Sequence, residues 1–145
     1  MEVNAFHHLS LEFGEVHPVW LEELAGEDHP GHTLAEDSTV QPLGLVLTVT
    51  VLADDGRAVT DAEGLVRPSV PDRAILRAPT PRPGQTGSLE IWVTAALLRY
   101  LIRDFPYVSE VETVATPANH QLLRELGFRT RRVHLVVEAP ETGDL

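Results

Sequence analysis

Apolar and polar residues alternate along Val111-Glu112-Thr113-Val114-Ala115, the period-two pattern of a half-buried strand. The alternation is read as setting Glu112 opposite Val111 and Val114. Thr116-Pro117-Ala118-Asn119 follows as turn and cap chemistry, with proline fixing φ and asparagine suited to free helix amides. His120 to Leu126 is long enough for about two turns of helix, and Gly127 is its natural stop. Phe128 then re-enters the core, and Val133 to Val137 predicts another strand.

Upstream, Leu43 to Leu52 (LGLVLTVTVL) is rich in β-branched residues and predicts a strand. Asp54-Asp55-Gly56-Arg57 predicts a hairpin turn, because Asp and Gly tolerate positive φ. A second strand is expected over Ala58–Val66 and a third over Arg73–Ala78. Pro79 to Gly87 is a Pro/Gly-rich loop, and Leu89 to Phe105 is the longest predicted helix. Leu89, Val93, Ala96, Leu97, Tyr100 and Leu101 recur on one of its faces, and Trp92 and Ile102 widen that apolar surface. Phe105-Pro106 ends it. Tyr100 and Tyr107 read as core or helix-end packing.

The first 42 residues carry weaker patterns. Val3 to Phe13 reads as a ragged strand. Pro18 to Leu24 reads as a short helix with Val19, Trp20 and Leu24 apolar, and Gly26 to Asp37 as an exposed loop. Glu138 to Leu145 reads as a frayed tail. The order of elements is antiparallel strands, helix, strand, helix, strand. That order predicts one α+β domain, with a mixed sheet and helices packed on it.

Composition narrows the functions open to such a domain. The 145 residues suffice for a core, and the absence of cysteine removes disulfides and thiolate metal sites. No signal peptide and no run of roughly 20 apolar residues is present, so a cytoplasmic protein with no membrane partner is the expectation. The net charge of −11 opposes nucleic acid binding, which needs clustered cations. All eleven basic residues are arginine, which fits the codon bias of a high-GC bacterial genome. The lack of lysine excludes a lysine Schiff base or a P-loop lysine.

With these elements in order, the chain resembles the GNAT-type (Gcn5-related) N-acyltransferases over roughly Leu43 to Val137. The residues that carry the resemblance are Ala95-Ala96-Leu97-Leu98, Asp104-Phe105-Pro106, Val111 to Thr113, Asn119 and Leu126-Gly127-Phe128-Arg129. The last block is the most specific. The resemblance implies a GNAT-like mixed central sheet flanked by helices. It also implies acyl-coenzyme A, most simply acetyl-CoA, as co-substrate and an amine of a small molecule or peptide as acceptor. In that family a loop of the pattern Gln/Arg-x-x-Gly-x-Gly/Ala opens the long helix, whose amide end holds the pyrophosphate. Aligned on Ala95–Leu98, that loop falls on Gln85-Thr86-Gly87-Ser88-Leu89-Glu90. The implied cofactor-binding residues are Gln85, Thr86, Gly87, Ser88 and Asn119. Ser88 and Glu90 stand where the family has small residues. A slipped register with Gly84 and Gly87 as the phosphate glycines is the alternative. Leu122 and Leu123 fall nearest the family's frequent tyrosine acid.

Amide formation from an amine needs a base and a polarised carbonyl. Glu112, on the strand beside the cofactor groove, and His134, on the last strand, are the candidate bases. Glu63 and Arg67 lie on a strand where the family often contacts its acceptor, and also read as ordinary surface charge. His29-Pro30-Gly31-His32 beside Glu27 and Asp28 has metal-ligand chemistry without a complete ligand set, so no metal is assigned. Two other functions stay open. The fold could serve, without acyl-CoA, as a binding or partner module, including a homodimer, or it could be redirected to cyclisation or decarboxylation.

Overall fold

The structure is a computed structural model that describes residues 2–12, 19–81 and 87–138, with side chains for 8–12, 19–81 and 87–131. Its elements are β1 (Glu2–Glu12), α1 (Val19–Ala25), β2 (His32–Gln41), β3 (Gly44–Ala53), β4 (Ala58–Arg67), β5 (Val70–Arg77), α2 (Ser88–Asp104), β6 (Glu110–Ala115), α3 (His120–Glu125) and β7 (Arg129–Glu138). The seven strands form one mixed sheet in the order β2-β3-β4-β5-β6-β1-β7. All neighbours are antiparallel except β5 and β6, which are parallel. The α+β class and the helix-flanked mixed sheet stand as expected.

Alternation places the core. Leu47, Val49 and Val51 of β3, Ala62 of β4, Ala74 and Leu76 of β5, and Val111 and Ala115 of β6 are buried. Between them point Arg73, Ile75 and Arg77 of β5 and Glu110, Glu112 and Val114 of β6, on the opposite face. α2 lies on β3 and β4. Gly64 makes this approach possible, because a Cβ there would sit 3.3 Å from Leu101 Cδ1. α1 packs against α2, and Trp92 Nε1 donates to the carbonyl of Ala25, the last residue of α1, at 3.1 Å. That bond satisfies both a buried indole N–H and a helix-end carbonyl. Phe128 is 1% exposed, and its amide donates to Leu123 O at 3.0 Å, which seats the α3–β7 connection in the core.

The hairpin turn at 54–57 forms with Gly56 at φ 83, and the Ala53 amide donates to Arg57 O at 2.9 Å. Other expectations are corrected. Residues 32–37, read as loop, belong to β2, which pairs with β3 at ten positions. β2 is an edge strand exposed from Ala35 to Gln41, so it carries no period-two signal despite full pairing. Leu21 and Ala25 bury α1, while Val19 and Trp20 are exposed. Tyr107 is 79% exposed and so is not a core residue. Val114, set against Glu112 in the sequence reading, shares its face and is 54% exposed, whereas Thr113 is buried. β5 begins at Val70 and β7 at Arg129, both earlier than the apolar pattern starts. Phe13, Pro18 and residues 139–145 lie outside the described residues.

Candidate functional site

The parallel pair sets the geometry of the site. β5 and β6 pair at Arg73/Glu110, Ala74/Val111 and Ile75/Glu112, and the register ends there although both strands continue. Leu76 and Arg77 on one side, and Thr113 to Ala115 on the other, flank a split. At its apex the Thr113 hydroxyl donates to the Leu76 carbonyl at 2.9 Å. Thr113 is 3% exposed, so a side-chain bond replaces the ladder bond where the strands part.

α2 follows from the carboxyl end of β5. Its N-cap is Gly87, at φ 76, and among the described residues no side chain caps the first turn. Only a glycine fits without strain here: φ is left-handed, and a Cβ would sit 3.1 Å from Pro81 Cγ. The Ile91 amide donates to Gly87 O at 2.9 Å, so the amides of Ser88, Leu89 and Glu90 precede the first helical bond. Uncapped amides at the positive end of a 17-residue helix are chemistry that suits an anion such as a pyrophosphate. Ser88 is exposed, and Glu90 is 9% exposed in the same first turn. Gln85, Thr86 and Gly84 lie outside the described residues.

Asn119 occupies the N-cap position of α3, as its residue type suggests. Its Oδ1 accepts from the Thr116 amide at 2.8 Å instead of from an α3 amide, so it ties the turn after β6 rather than the helix. Leu122 and Leu123, nearest the family's tyrosine, are buried in the core.

Glu112 sits at the last paired position below the split, on the face away from the core. Its carboxylate is 3.6 Å from Arg73 Nη1 and 4.0 Å from His8 Nε2, and Glu110 lies 3.8 Å from Arg73 Nε. β1 brings His8 there by running beside β6, with His8 opposite Val114 and Ser10 opposite Glu112. His134 lies on β7 opposite Phe6, two residues from His8 along β1, and its side chain lies outside the described residues. Nearer the end of β5, Arg77 contacts Glu63 at 3.2 Å and Asp61 at 2.6 Å. Those hydrogen bonds, Glu63 first, raise the Arg77 pKa further above its ordinary value. Glu63 is therefore part of a surface ion pair. Arg67 lies at the other end of β4, away from the split.

Glu112 and Thr113 thus lie at the end of the parallel pair, with Asn119 tying the turn that leaves β6. Two residues at the apex had no signal in the sequence reading. His8 belongs there only because β1 threads between β6 and β7, and Thr113 because its hydroxyl points into the core. His29, part of the histidine-rich stretch, stacks on Trp92 with ring centroids 4.3 Å apart, and its Nε2 is 3.6 Å from Glu27.

No protein-family model matches this sequence, and no curated protein matches it. Solved structures do. One is a tandem GNAT protein from the clavulanic acid biosynthesis pathway, determined without AcCoA. It matches at 17% identity with a TM-score of 0.68, over 90% of this chain and 51% of that one. Another is a GCN5-related N-acetyltransferase from Kribbella flavida, at 13% identity and a TM-score of 0.62, over 97% of this chain and 61% of that one. The chain spans between half and two thirds of the length of these two proteins. At such identities the likeness is one of backbone, and it agrees with the strand-by-strand reading above: this chain has the fold of the GNAT acetyltransferases.

Proposed function

We propose that this chain is an acyl-CoA-dependent N-acyltransferase that moves an acyl group, most simply acetyl, directly to an amine of a small molecule or peptide. The observations that support the reading are the parting of β5 and β6 and the amide end of α2, the helix that follows β5 in the chain. A gap between parallel strands accepts an extended chain, and the helix end accepts the anionic group at that chain's other end. Gln85, Thr86, Gly87 and Ser88 would hold the pyrophosphate with the first α2 amides, and Asn119 would shape the turn beside it.

In this reading a base removes a proton from the acceptor ammonium. The amine nitrogen then bonds to the acyl carbon as the carbon–sulfur bond breaks, and the thiolate leaves with a proton. The base candidates are Glu112, with His8 as its partner at the apex, and His134 on β7. Positioning and proton transfer of this kind contribute about 10²–10⁴-fold. The test is release of free thiol from acetyl-CoA in the presence of small and peptide amines. Glu112→Gln should lower kcat by about 10²-fold or more with the melting temperature retained. An unchanged kcat would remove Glu112 from the reaction.

A second reading is favoured by two observations. The Thr113–Leu76 bond bridges the apex of the split, and Glu90 sets a carboxylate in the first turn of α2, where a phosphate would lie. Both fit a GNAT fold that no longer binds acyl-CoA and serves as a partner module. Failure to bind any acyl-CoA would put this reading in front.

A further inference from the structure

One row of side chains crosses five strands on the face of the sheet away from α2. The registers pair Thr39 with Val46, Val46 with Leu65, Leu65 with Ile75 and Ile75 with Glu112, so one residue each of β2 to β6 stands in line. Alternation turns the row from the core. Leu47, Gly64 and Leu76, the next residue along β3, the one before along β4 and the next along β5, are buried on the opposite face, where Gly64 meets Leu101 of α2.

Three neighbours in this row are apolar. Val46 and Leu65 are half-buried, and Ile75 is 37% exposed. Strands lie about 4.8 Å apart, so the apolar stretch from Val46 to Ile75 is about 10 Å long. Apolar residues scattered singly on a surface are ordinary, but three in register on adjacent strands make a continuous strip. Arg73 and Arg77 flank Ile75 along β5 with their guanidinium groups beside carboxylates, and their aliphatic stems widen the strip. The strip ends at Glu112. Arg73 Nη1 is 3.6 Å and His8 Nε2 4.0 Å from that carboxylate, both beyond hydrogen-bond reach, so its oxygens keep capacity to accept N–H groups. An ammonium brings three such donors and the complementary charge.

We propose that the acceptor is a primary amine with an apolar body, its ammonium at Glu112 below the split and its body laid across Ile75, Leu65 and Val46. The proposal rests on the acyltransferase reading for the fate of the amine, and on this row alone for its binding.

The test uses the full chain, ¹⁵N-labelled and without acyl-CoA, titrated separately with hexylamine, methylamine and hexanol at constant ionic strength. Hexylamine should give saturable shifts in the amides of Val46, Leu65, Ile75 and Glu112, and should bind about tenfold or more tightly than either methylamine, which lacks the body, or hexanol, which lacks the charge. Glu112→Gln should weaken hexylamine binding about tenfold. Ile75→Thr, which keeps the branched strand-forming shape, should weaken it several-fold, and Leu65→Thr carries the test if Ile75→Thr fails to fold. Val19→Thr, an equal change at an exposed residue of α1, should leave it unchanged. Because no acyl-CoA is added, failure here is separate from failure to bind acyl-CoA, which thermal unfolding reads. Methylamine or hexanol binding as tightly as hexylamine, no saturable shift on the row, or affinity unchanged in the folded row variants would overturn the proposal. So would shifts of the same amides on simple dilution, which would place a second copy of this chain on the row.

Discussion

Thr113 shows how one atom can fix where two strands part. Its hydroxyl donates to Leu76 O, where the β5–β6 ladder has already ended. Valine has nearly the same shape and lacks the donor. Thr113→Val should therefore leave a buried carbonyl unpaired and cost about 1–3 kcal/mol of stability in urea unfolding. A cost below about 0.5 kcal/mol would mean the carbonyl finds another donor and the apex is not held by this bond. Phe128 makes a different contribution, through volume. Phe128→Ala should cost about 3–5 kcal/mol, and a loss below about 1 kcal/mol would mean the Leu-Gly-Phe connection is not core. The burial of Phe128 and Trp92 was legible from phase alone. That of Thr113 was not, because a polar side chain on the core face looks like a break in the pattern until its partner on another strand is known.

Elements with a buried face were the legible ones. β3, β6 and α2 carry strong period-two or helical patterns because one face of each meets the core. β2 escaped because an edge strand exposed on both faces has no apolar periodicity, and acids such as Glu36 and Asp37 on an edge resemble loop composition. Those acids also have partners. Glu36 binds Arg103 of α2 at 3.1 Å, and Arg103, bonded as well to Asp104, has its pKa raised above the usual guanidinium value. At the other end of α2, Glu90 has opposing effects on helix and ligand. Glu90→Gly removes a first-turn carboxylate, at about 0.3–1 kcal/mol, and adds backbone freedom at about 0.5–1 kcal/mol, so unfolding should come earlier. If the amide end holds a pyrophosphate, the same change should tighten acetyl-CoA binding in calorimetry. Weaker or unchanged binding from a competent wild type would move the phosphate cradle to Gly84 and Gly87.

At the scale of the whole molecule, strand order decides which residues meet. Residue patterns gave most elements between Leu43 and Val137, but nothing local states that the first strand lies between β6 and β7. Pairings this distant in sequence are chosen by the global packing, and so Glu112 could be named as a candidate without the His8 that the fold brings to 4.0 Å from it. Charge is also read differently at this scale. The excess of acid is no evidence of a cation site, because Arg73, Arg77, Arg103 and Arg131 each engage one or two carboxylates across strands or helices. Among the described residues no helix is long and apolar enough to cross a membrane. The central claim is that the split and the α2 amide end together accept acyl-CoA, and it is tested most directly by thermal unfolding of the intact chain with added acyl-CoA. Binding to the folded state alone stabilises it by about 2.7 kcal/mol at about 100 times the dissociation constant, so millimolar acetyl-CoA should raise the melting temperature by roughly 5–10 °C. No shift with acetyl-CoA or any longer acyl-CoA would contradict the acyltransferase account.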